Sequence, residues 1–295
     1  FVEERWEHEL AGNPNPIKLL NPIASQMSVM RSSLLGSLLQ VLKFNLDRKA
    51  ARVRVFELGR VHFKDAEDEE SDATVKGFDQ PMRVAGLAYG SNAPLQWGVQ
   101  DGRVDFFDVK GDVQALLAPL QAQFEPAEHP AMHPGRCARV VLAGQEIGHV
   151  GELHPQWCQQ WDLPQAPVMF ELALQAVLQR PVPQFTPVPK HQAVERDIAV
   201  VVKESVTHAQ LMAAVHAAVP AQTLRSAVLF DVFRPKKLKP GEVASAGALA
   251  HDEKSLAVRL TLGRQAEALT DADIDAAMQA VIAALAEQLG AKLRG

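Results

Sequence analysis

The stretch Asp197-Ile-Ala-Val-Val-Val202 is a run of aliphatic residues that predicts a buried β-strand. Thr207 follows a short connection and is placed to cap a helix, because its hydroxyl can accept a hydrogen bond from a first-turn N–H. The apolar residues of that helix, Leu211, Val215 and Val219, recur every four positions and so lie on one face. The pattern predicts a strand, a loop and an amphipathic helix.

Further strands and a second helix follow in the C-terminal part of the chain. Residues 224–233 and 255–261 have the composition of strands, and an alanine-rich segment from Thr270 to about residue 289 predicts a long helix. Gly290 suits the end of that helix, and residues 291–294 are long enough for a last edge strand. The predicted order is βαββαβ, a ferredoxin-like fold, which by itself specifies no function.

A proline-rich seam precedes this domain. The stretch Arg180-Pro-Val-Pro-Gln-Phe-Thr-Pro-Val-Pro-Lys190 has four prolines in eleven residues, which prevents both a helix and a central strand. We therefore expect a first domain at 1–182, a linker at 183–190 and a second domain at 191–295.

The first domain mixes helices and short strands without a regular βαβ alternation. Ser32 or Ser33 is expected to cap a helix that runs through Leu34, Leu38, Leu42 and Leu46. The other predicted elements are strands at 52–58 and 82–89, a helix at 108–120, and strands near 139–142 and 145–151. This arrangement indicates the α+β class, with an antiparallel sheet flanked by helices.

The composition is that of an ordinary globular protein. The 295 residues are 47% hydrophobic, and 30 Lys plus Arg against 35 Asp plus Glu give a net charge of −5, so binding to polyanions through bulk charge is not expected.

Two cysteines indicate a reducing compartment. Because no apolar run reaches the length of a membrane span and no signal core begins the chain, we expect a cytoplasmic protein without membrane contact. The missing initiator methionine suggests a fragment of a longer chain.

The second domain carries a family resemblance in four segments. They are Glu195-Arg-Asp-Ile-Ala-Val-Val-Val202, Leu229-Phe-Asp-Val-Phe-Arg234, Lys254-Ser-Leu-Ala-Val-Arg-Leu260 and Gly290-Ala-Lys-Leu-Arg294. They resemble the ferredoxin-fold anticodon-binding domain that closes the β subunit of bacterial phenylalanyl-tRNA synthetase.

The first domain resembles the catalytic-like core of the same subunit. The motifs follow one another in the family's order: Asn21-Pro-Ile, Met30-Arg-Ser-Ser-Leu-Leu35, Phe56-Glu-Leu-Gly-Arg60, Asp105-Phe-Phe-Asp-Val-Lys-Gly111, His133-Pro-Gly-Arg136 and Gly148-His-Val-Gly-Glu-Leu-His-Pro155. The resemblance therefore covers nearly the whole chain and implies a class II synthetase-like antiparallel sheet in the first domain.

The resemblance also implies an α2β2 enzyme that esterifies phenylalanine to tRNA(Phe) with ATP and Mg²⁺, whose α subunit holds the active site. We expect no catalytic residue, cofactor or metal in this chain. Where a catalytic subunit carries an arginine after its strand, this chain has His62-Phe63 and then the acidic run 65–72. The segment 168–178 lacks the glycine and arginine of the corresponding strand and helix. The first domain is thus expected to be a non-catalytic scaffold.

Several side chains of the first domain allow two interpretations. Four arginines suit either tRNA or substrate contacts or structural ion pairs: Arg31, Arg48, Arg60 and Arg136. A zinc hydrolase is a rival hypothesis that rests on His129, His133, Cys137, His149, His154 and Cys158, although Pro130 and Pro134 interrupt any helix there. We interpret the two cysteines as structural thiols and the acidic run as a solvated loop.

Asp231 and Phe233 are the residues expected to read an RNA base. Two positions apart in one strand, they point to the same face, so a carboxylate that can accept from guanine N1 and N2 lies beside a ring. The family usually has tyrosine at position 233, so stacking is expected to survive while a hydroxyl contact is lost. The alternatives are a core position for Phe233 and a surface ion pair of Asp231 with Lys254 or Arg234.

The resemblance assigns Ser255 and Arg294 to the anticodon face as well. Lys254 is also expected to contact RNA, and Arg196 is expected to contact RNA or the adjoining subunit rather than form an internal ion pair. Cations that would meet phosphates follow the predicted strand: Arg234, Lys236, Lys237 and Lys239. The stretch 240–252 is longer than the family's usual turn. The leading alternative is an assembly module of the same complex that contacts only protein, which a buried Phe233 would favour and an exposed one would not.

Overall fold

The computed structural model describes residues 1–67, 75–185, 187–235 and 249–294. The chain divides into two compact units, Phe1–Val182 and Pro183–Gly295. Within the described ranges, no helix combines the length and apolarity that crossing a membrane requires.

The first unit is built on a six-stranded sheet in which every neighbouring pair of strands is antiparallel. Its strands are β1 Val53–Arg60, β4 Met82–Tyr89, β5 Gln123–Pro126, β6 Met132–Leu142, β7 Gln145–Leu153 and β8 Val168–Ala173, in the order β1-β4-β8-β7-β6-β5; β2 Phe63–Lys64 and β3 Phe78–Asp79 form a separate ribbon. Its helices are α1 Glu4–Glu9, α2 Leu35–Leu46, α3 Phe106–Leu117, α4 Pro155–Gln160 and α5 Leu174–Leu178, with a short 3₁₀ turn at Ser25–Met27. The expected α+β class with an antiparallel sheet is confirmed.

Both faces of this sheet are covered. In β4, Leu87 packs into the cluster of α2, whereas Val84 and Ala88 pack into the cluster of α3. The same alternation places Met169 of β8 with α2 and Leu172 with α3. Strands buried on both sides read as continuous apolar runs rather than as alternating ones, which matches the sequence of β4.

The N-terminus of α2 is held by carboxylates from other elements, and this differs from the predicted serine cap. The helix begins at Leu35, and the N-cap residue Leu34 has no side-chain cap bond. Ser33 Oγ accepts from the Leu35 N–H at 3.1 Å, while the buried Glu7 accepts from the Ser32 N–H at 3.0 Å. Glu171 of β8 accepts from the Leu34 N–H at 2.6 Å, and burial raises the pKa of its carboxyl.

The second unit has the predicted order βαββαβ. Its elements are β9 Val194–Lys203, α6 His208–Ala218, β10 Leu224–Phe233, β11 Glu253–Leu262, α7 Asp271–Leu289 and β12 Lys292–Leu293, and the sheet order is β10-β11-β9-β12. Thr207 and Thr270 cap the two helices through reciprocal capping boxes, and Gly290 ends α7 with φ of 63°. The ferredoxin-like expectation is therefore confirmed, with β10 at its predicted bounds.

The two helices of this unit cover one face of its sheet. Ile198, Val200 and Val202 of β9 are buried against α6 and α7, as are Leu256, Val258, Leu260 and Leu262 of β11. The residues between them point to the other side, because side chains alternate along a strand. We call this second side the open face; it is made of Ala199, Val201, Ser255, Ala257, Arg259, Val228, Asp231 and Phe233 with their immediate neighbours.

Candidate nucleic-acid interface

The strand register places the two predicted base-reading residues together on the open face, in its edge strand β10. Phe233 lies opposite Ser255, and Asp231 lies opposite Ala257. On the other side of β11, Ala257 is paired with Ala199. Directly opposed residues share a face, so small side chains form a floor between the larger groups.

Phe233 is not part of the core. Its side chain is 46% exposed, and the guanidinium carbon of Arg294 lies 5.0 Å from its ring centre. Arg294 follows β12, which is separated from β10 by two strands, and its N–H donates to the Ala199 carbonyl. The arginine side chain therefore reaches across the open face to the ring, a favourable cation–π arrangement.

Asp231 is exposed and takes part in no ion pair found among the described residues. The two cations that were its alternative partners bind Glu204 instead. Arg234 lies 3.0 Å from that carboxylate, and the Lys254 ammonium donates to the Glu204 carbonyl at 2.8 Å. The carboxylate of Asp231 is thus available to accept hydrogen bonds from a ligand.

Arg196 and Lys254 do not lie on the open face. Lys254 is opposite Val202 and is only 8% exposed, and Arg196 is opposite the buried Leu260. Their positions in the alternation direct both side chains toward the helix-covered side. Arg196 donates to the Glu195 carbonyl at 3.0 Å. The geometry therefore does not group these two predicted RNA contacts with Asp231 and Phe233.

The positively charged segment after β10 is described only at Arg234. Lys236, Lys237 and Lys239 lie outside the described residues, as does most of the long stretch 240–252. Their predicted contacts with phosphates stay predictions.

The sequence did not reveal Phe230 and Arg259 as members of this face. Strict alternation would direct Phe230 away from Phe233. A β-bulge between Leu229 and Asp231 changes the alternation, and the Arg259 guanidinium carbon lies 5.4 Å from the Phe230 ring centre. No glycine or proline marks the bulge in the sequence, so no local signal could have located it.

The motif arginines of the first unit make internal bonds. Arg31 pairs with Glu57 at 2.6 Å, and Arg136 pairs with Glu152 at 2.6 Å. Arg60 donates to the Gln80 carbonyl and Arg48 to the Phe44 carbonyl, each at 2.9 Å. These contacts favour the structural interpretation of all four arginines.

The family resemblance places His62 and residues 168–178 where a catalytic subunit carries its ATP-binding groups. His62 stands where an arginine is expected; burial lowers its pKa, and no hydrogen-bond partner for its Nδ1 is found among the described residues. A neutral imidazole cannot balance phosphate charge. β8 and α5 contribute Glu171 and otherwise uncharged side chains. Of the acidic run 65–72, the described part shows Asp65 accepting from the Glu67 N–H.

The histidines and cysteines of the first unit make local contacts. Within the described ranges, no three His, Cys, Asp or Glu residues are placed to hold a metal ion. Burial raises the pKa of Cys137 to about 11 and also raises that of Cys158, which disfavours a reactive thiolate. His129 accepts from the Ala131 N–H, and its ring centre lies 5.1 Å from that of His149.

His129 is expected to make the first unit sensitive to acid. Burial, followed by the neighbouring His149, lowers its pKa from 6.5 to about 4. Below pH 6.5 the unfolded histidine binds a proton that the folded one does not, so stability falls until the pH reaches about 4. At about 1.4 kcal/mol per pKa unit, we expect a loss of about 2 kcal/mol between pH 6.5 and 4.5.

Urea unfolding of wild type and His129→Gln at both pH values measures this loss. The variant is expected to lose less stability on acidification than the wild type. An equal loss in the two proteins would contradict the assignment to His129.

Comparisons with known proteins match one family model to each of the two units. The family model described as "Phenylalanyl tRNA synthetase beta chain CLM domain" matches residues 1–174, and "Ferredoxin-fold anticodon binding domain" matches residues 189–294. The phenylalanine–tRNA ligase β subunit of Cupriavidus pinatubonensis is 50% identical over 299 residues, and that of Ralstonia nicotianae is 52% identical over 298 residues. Each alignment covers 100% of this chain and 36% of the relative, so the chain spans about a third of the relatives' length.

A solved structure of the pyrrolysyl-tRNA synthetase PylSc of Desulfitobacterium hafniense is 14% identical, with a TM-score of 0.40 over 60% of this chain and 56% of that one. A similarity of this size supports no conclusion about either unit.

Proposed function

Because the chain belongs to the phenylalanyl-tRNA synthetase β chain family, we propose that its second unit binds the anticodon stem-loop of tRNA(Phe). The open face supports this proposal most strongly. There, the guanidinium carbon of Arg294 lies 5.0 Å from the ring centre of the exposed Phe233, and the exposed Asp231 lies two residues away in the same strand. Unpaired bases are recognised by stacking on rings and guanidinium planes and by hydrogen bonds to their edges.

Each group of this site has a distinct task in the proposal. The ring of Phe233 stacks the first anticodon base, and Asp231 accepts from its N1 and N2 donors when that base is guanine. Ser255 lies opposite Phe233 but is only 4% exposed, so it belongs to the floor of the face rather than to the groups that contact the base. Arg294 supplies a guanidinium plane and free N–H donors, while Arg234, Lys236 and Lys237 meet the phosphates.

The first unit is proposed to hold the α subunit and to perform no chemistry itself. Its edge strand β1 exposes the side chains of Phe56 (73%) and Leu58, which lie two apart and so share a face. A row of exposed apolar groups on an edge strand is typical of a protein interface. The poor fit of His62 to a phosphate supports an ATP site elsewhere in the enzyme.

The whole enzyme is accordingly proposed to be a cytoplasmic α2β2 phenylalanine–tRNA ligase that uses ATP and Mg²⁺. The relatives carry the name phenylalanine–tRNA ligase β subunit, which supports this assignment. The alternative, a module that contacts only protein, is disfavoured by the exposure of Phe233.

Direct binding tests the proposal. We would titrate a fluorescein-labelled anticodon stem-loop of tRNA(Phe) with the 295-residue chain and follow anisotropy at about 50 and about 200 mM salt. Saturable binding at low salt that weakens at high salt is expected. Absence of binding at both concentrations, together with capture of the α subunit, would establish the protein-only alternative.

Lys237→Ala is expected to change the salt dependence of binding. Each neutralised phosphate contributes about 0.7 to 0.9 to the slope of log K against log salt, so losing one contact lowers the slope by that amount or less. The same titrations repeated at several salt concentrations measure it. An unchanged slope would exclude a phosphate contact for Lys237.

A further inference from the structure

The β-bulge in β10 places a second phenylalanine on the open face. Leu229 is paired with Val258 and Asp231 with Ala257, so Phe230 and Asp231 together oppose one residue of β11. In such a bulge the extra residue is turned out of the normal alternation. Phe230 is consequently 53% exposed and lies against Arg259, on the same face as Phe233.

The guanidinium nitrogens of Arg259 are engaged by two carboxylates. Its Nε and Nη2 each donate to Asp197 at 2.8 Å, and its Nη1 lies 3.5 Å from Glu195. The two carboxylates outweigh the single guanidinium, so this site does not attract phosphate. The guanidinium carbon lies 5.4 Å from the Phe230 ring centre, and about half of the Arg259 side chain is exposed.

The arrangement repeats that of Phe233 and Arg294. Each pair joins an exposed ring to a guanidinium, at 5.4 Å in one case and 5.0 Å in the other. The two rings are three residues apart in one strand, so their backbones are separated by about 10 Å or less. Two flat stacking surfaces at this spacing suit two unpaired bases of one RNA loop.

We propose that Phe230 and Arg259 form a second base-stacking position, beside that of Phe233, for another unpaired base of the anticodon loop; this inference rests on the proposed RNA binding. Asp197 and Glu195 orient the guanidinium and repel the phosphates, so the base rather than the backbone occupies the site. Arg294 differs, because no carboxylate is paired with it in the described part of the chain and its N–H groups are free for a base edge.

The test uses the 295-residue chain and the anticodon stem-loop, with Phe230→Ala, Phe230→Leu and Phe233→Ala as variants. Phe185→Ala is the matched control, because Phe185 is an exposed phenylalanine of the same unit that lies outside the sheet. Each protein is titrated with the intact loop and with loops that carry one abasic nucleotide at each unpaired position in turn. Thermal unfolding checks that each variant is folded.

Phe230→Ala is expected to weaken binding of the intact loop about five- to thirty-fold, with an unchanged salt slope, and Phe185→Ala by less than about two-fold. The penalty of Phe230→Ala should vanish on one abasic loop, at a position different from the one that removes the penalty of Phe233→Ala. Phe230→Leu should give a smaller loss because it keeps apolar contact without a ring.

Three outcomes would overturn the inference. If Phe233→Ala weakens binding and Phe230→Ala changes it by less than about two-fold, the second position does not exist while the proposed function stands. If both penalties vanish at the same abasic position, the two rings serve one base. If the wild-type chain does not bind the loop at all, the proposed function and the second position fail together.

Discussion

Replacement of Gly148 by alanine is expected to unfold the first unit. Gly148 lies in β7 with φ of 148°, a conformation that residues with a Cβ rarely adopt. A Cβ at this position would collide with the carbonyl oxygen of Glu171 and lie 2.9 Å from the Cα of Leu172, both in the neighbouring strand β8. Since backbone atoms of a central strand cannot move aside, we expect a loss of about 4 kcal/mol or more.

Tryptophan fluorescence during urea unfolding measures this effect, because all four tryptophans belong to the first unit. Gly111→Ala is the matched control. Gly111 lies within α3, and a Cβ there meets no atom within 4 Å, so alanine should raise stability by about 0.5 to 1 kcal/mol. A Gly148→Ala protein that unfolds at the wild-type urea concentration would contradict the described packing of β7 against β8.

Phe233→Ala is expected to lower the affinity for the anticodon stem-loop about five- to one-hundred-fold. Stacking of one base on an aromatic side chain contributes about 1 to 3 kcal/mol, and the substitution also removes the ring that faces Arg294. Because the ring carries no charge, the slope of log K against log salt should not change. Anisotropy titrations at several salt concentrations measure affinity and slope together.

Phe185→Ala again serves as the control, since it removes an exposed ring of the same unit without touching the sheet. A changed slope for Phe233→Ala with an unchanged one for Lys237→Ala would reverse the roles given to these residues. Equal affinities of wild type and Phe233→Ala for the loop would show that no base stacks on the Phe233 ring.

The fold of the second unit could be predicted because its signals are local. The hydroxyls of Thr207 and Thr270 mark the starts of two helices, and Gly290 adopts the positive φ that ends the second. Strands β9, β10 and β11 each contain a long apolar or alternating run. Local propensity, capping and periodicity thus agree with the tertiary fold.

The first unit was less predictable because distant residues determine its details. Glu171 holds the start of α2 although it is 137 residues from Leu34. Nothing near Leu34 in the sequence indicates that a carboxylate from another strand replaces a serine cap.

The composition of the candidate site was only partly predictable. Period-two alternation placed Asp231 and Phe233 together, which the register of β10 confirms. The same rule assigns Phe230 and Phe233 to opposite faces, because three positions separate them. The bulge between Leu229 and Asp231 changes this, and period-two alternation does not predict a bulge. A family motif names residues without showing which face of the sheet they occupy. The motif therefore predicts an RNA contact for Lys254, whereas the structure buries its ammonium against Glu204.

The most direct test of the central claim is the base preference of RNA binding. Anisotropy would compare an anticodon stem-loop that has guanine at the first anticodon position with the same loop carrying adenine, for wild type and for Asp231→Asn. The wild type is expected to prefer guanine about ten-fold or more, since a bidentate pair contributes about 1 to 3 kcal/mol of discrimination. Asp231→Asn is expected to bind both loops with nearly equal affinity. A wild type that binds the two loops equally, or an unchanged preference in Asp231→Asn, would contradict base reading by the open face.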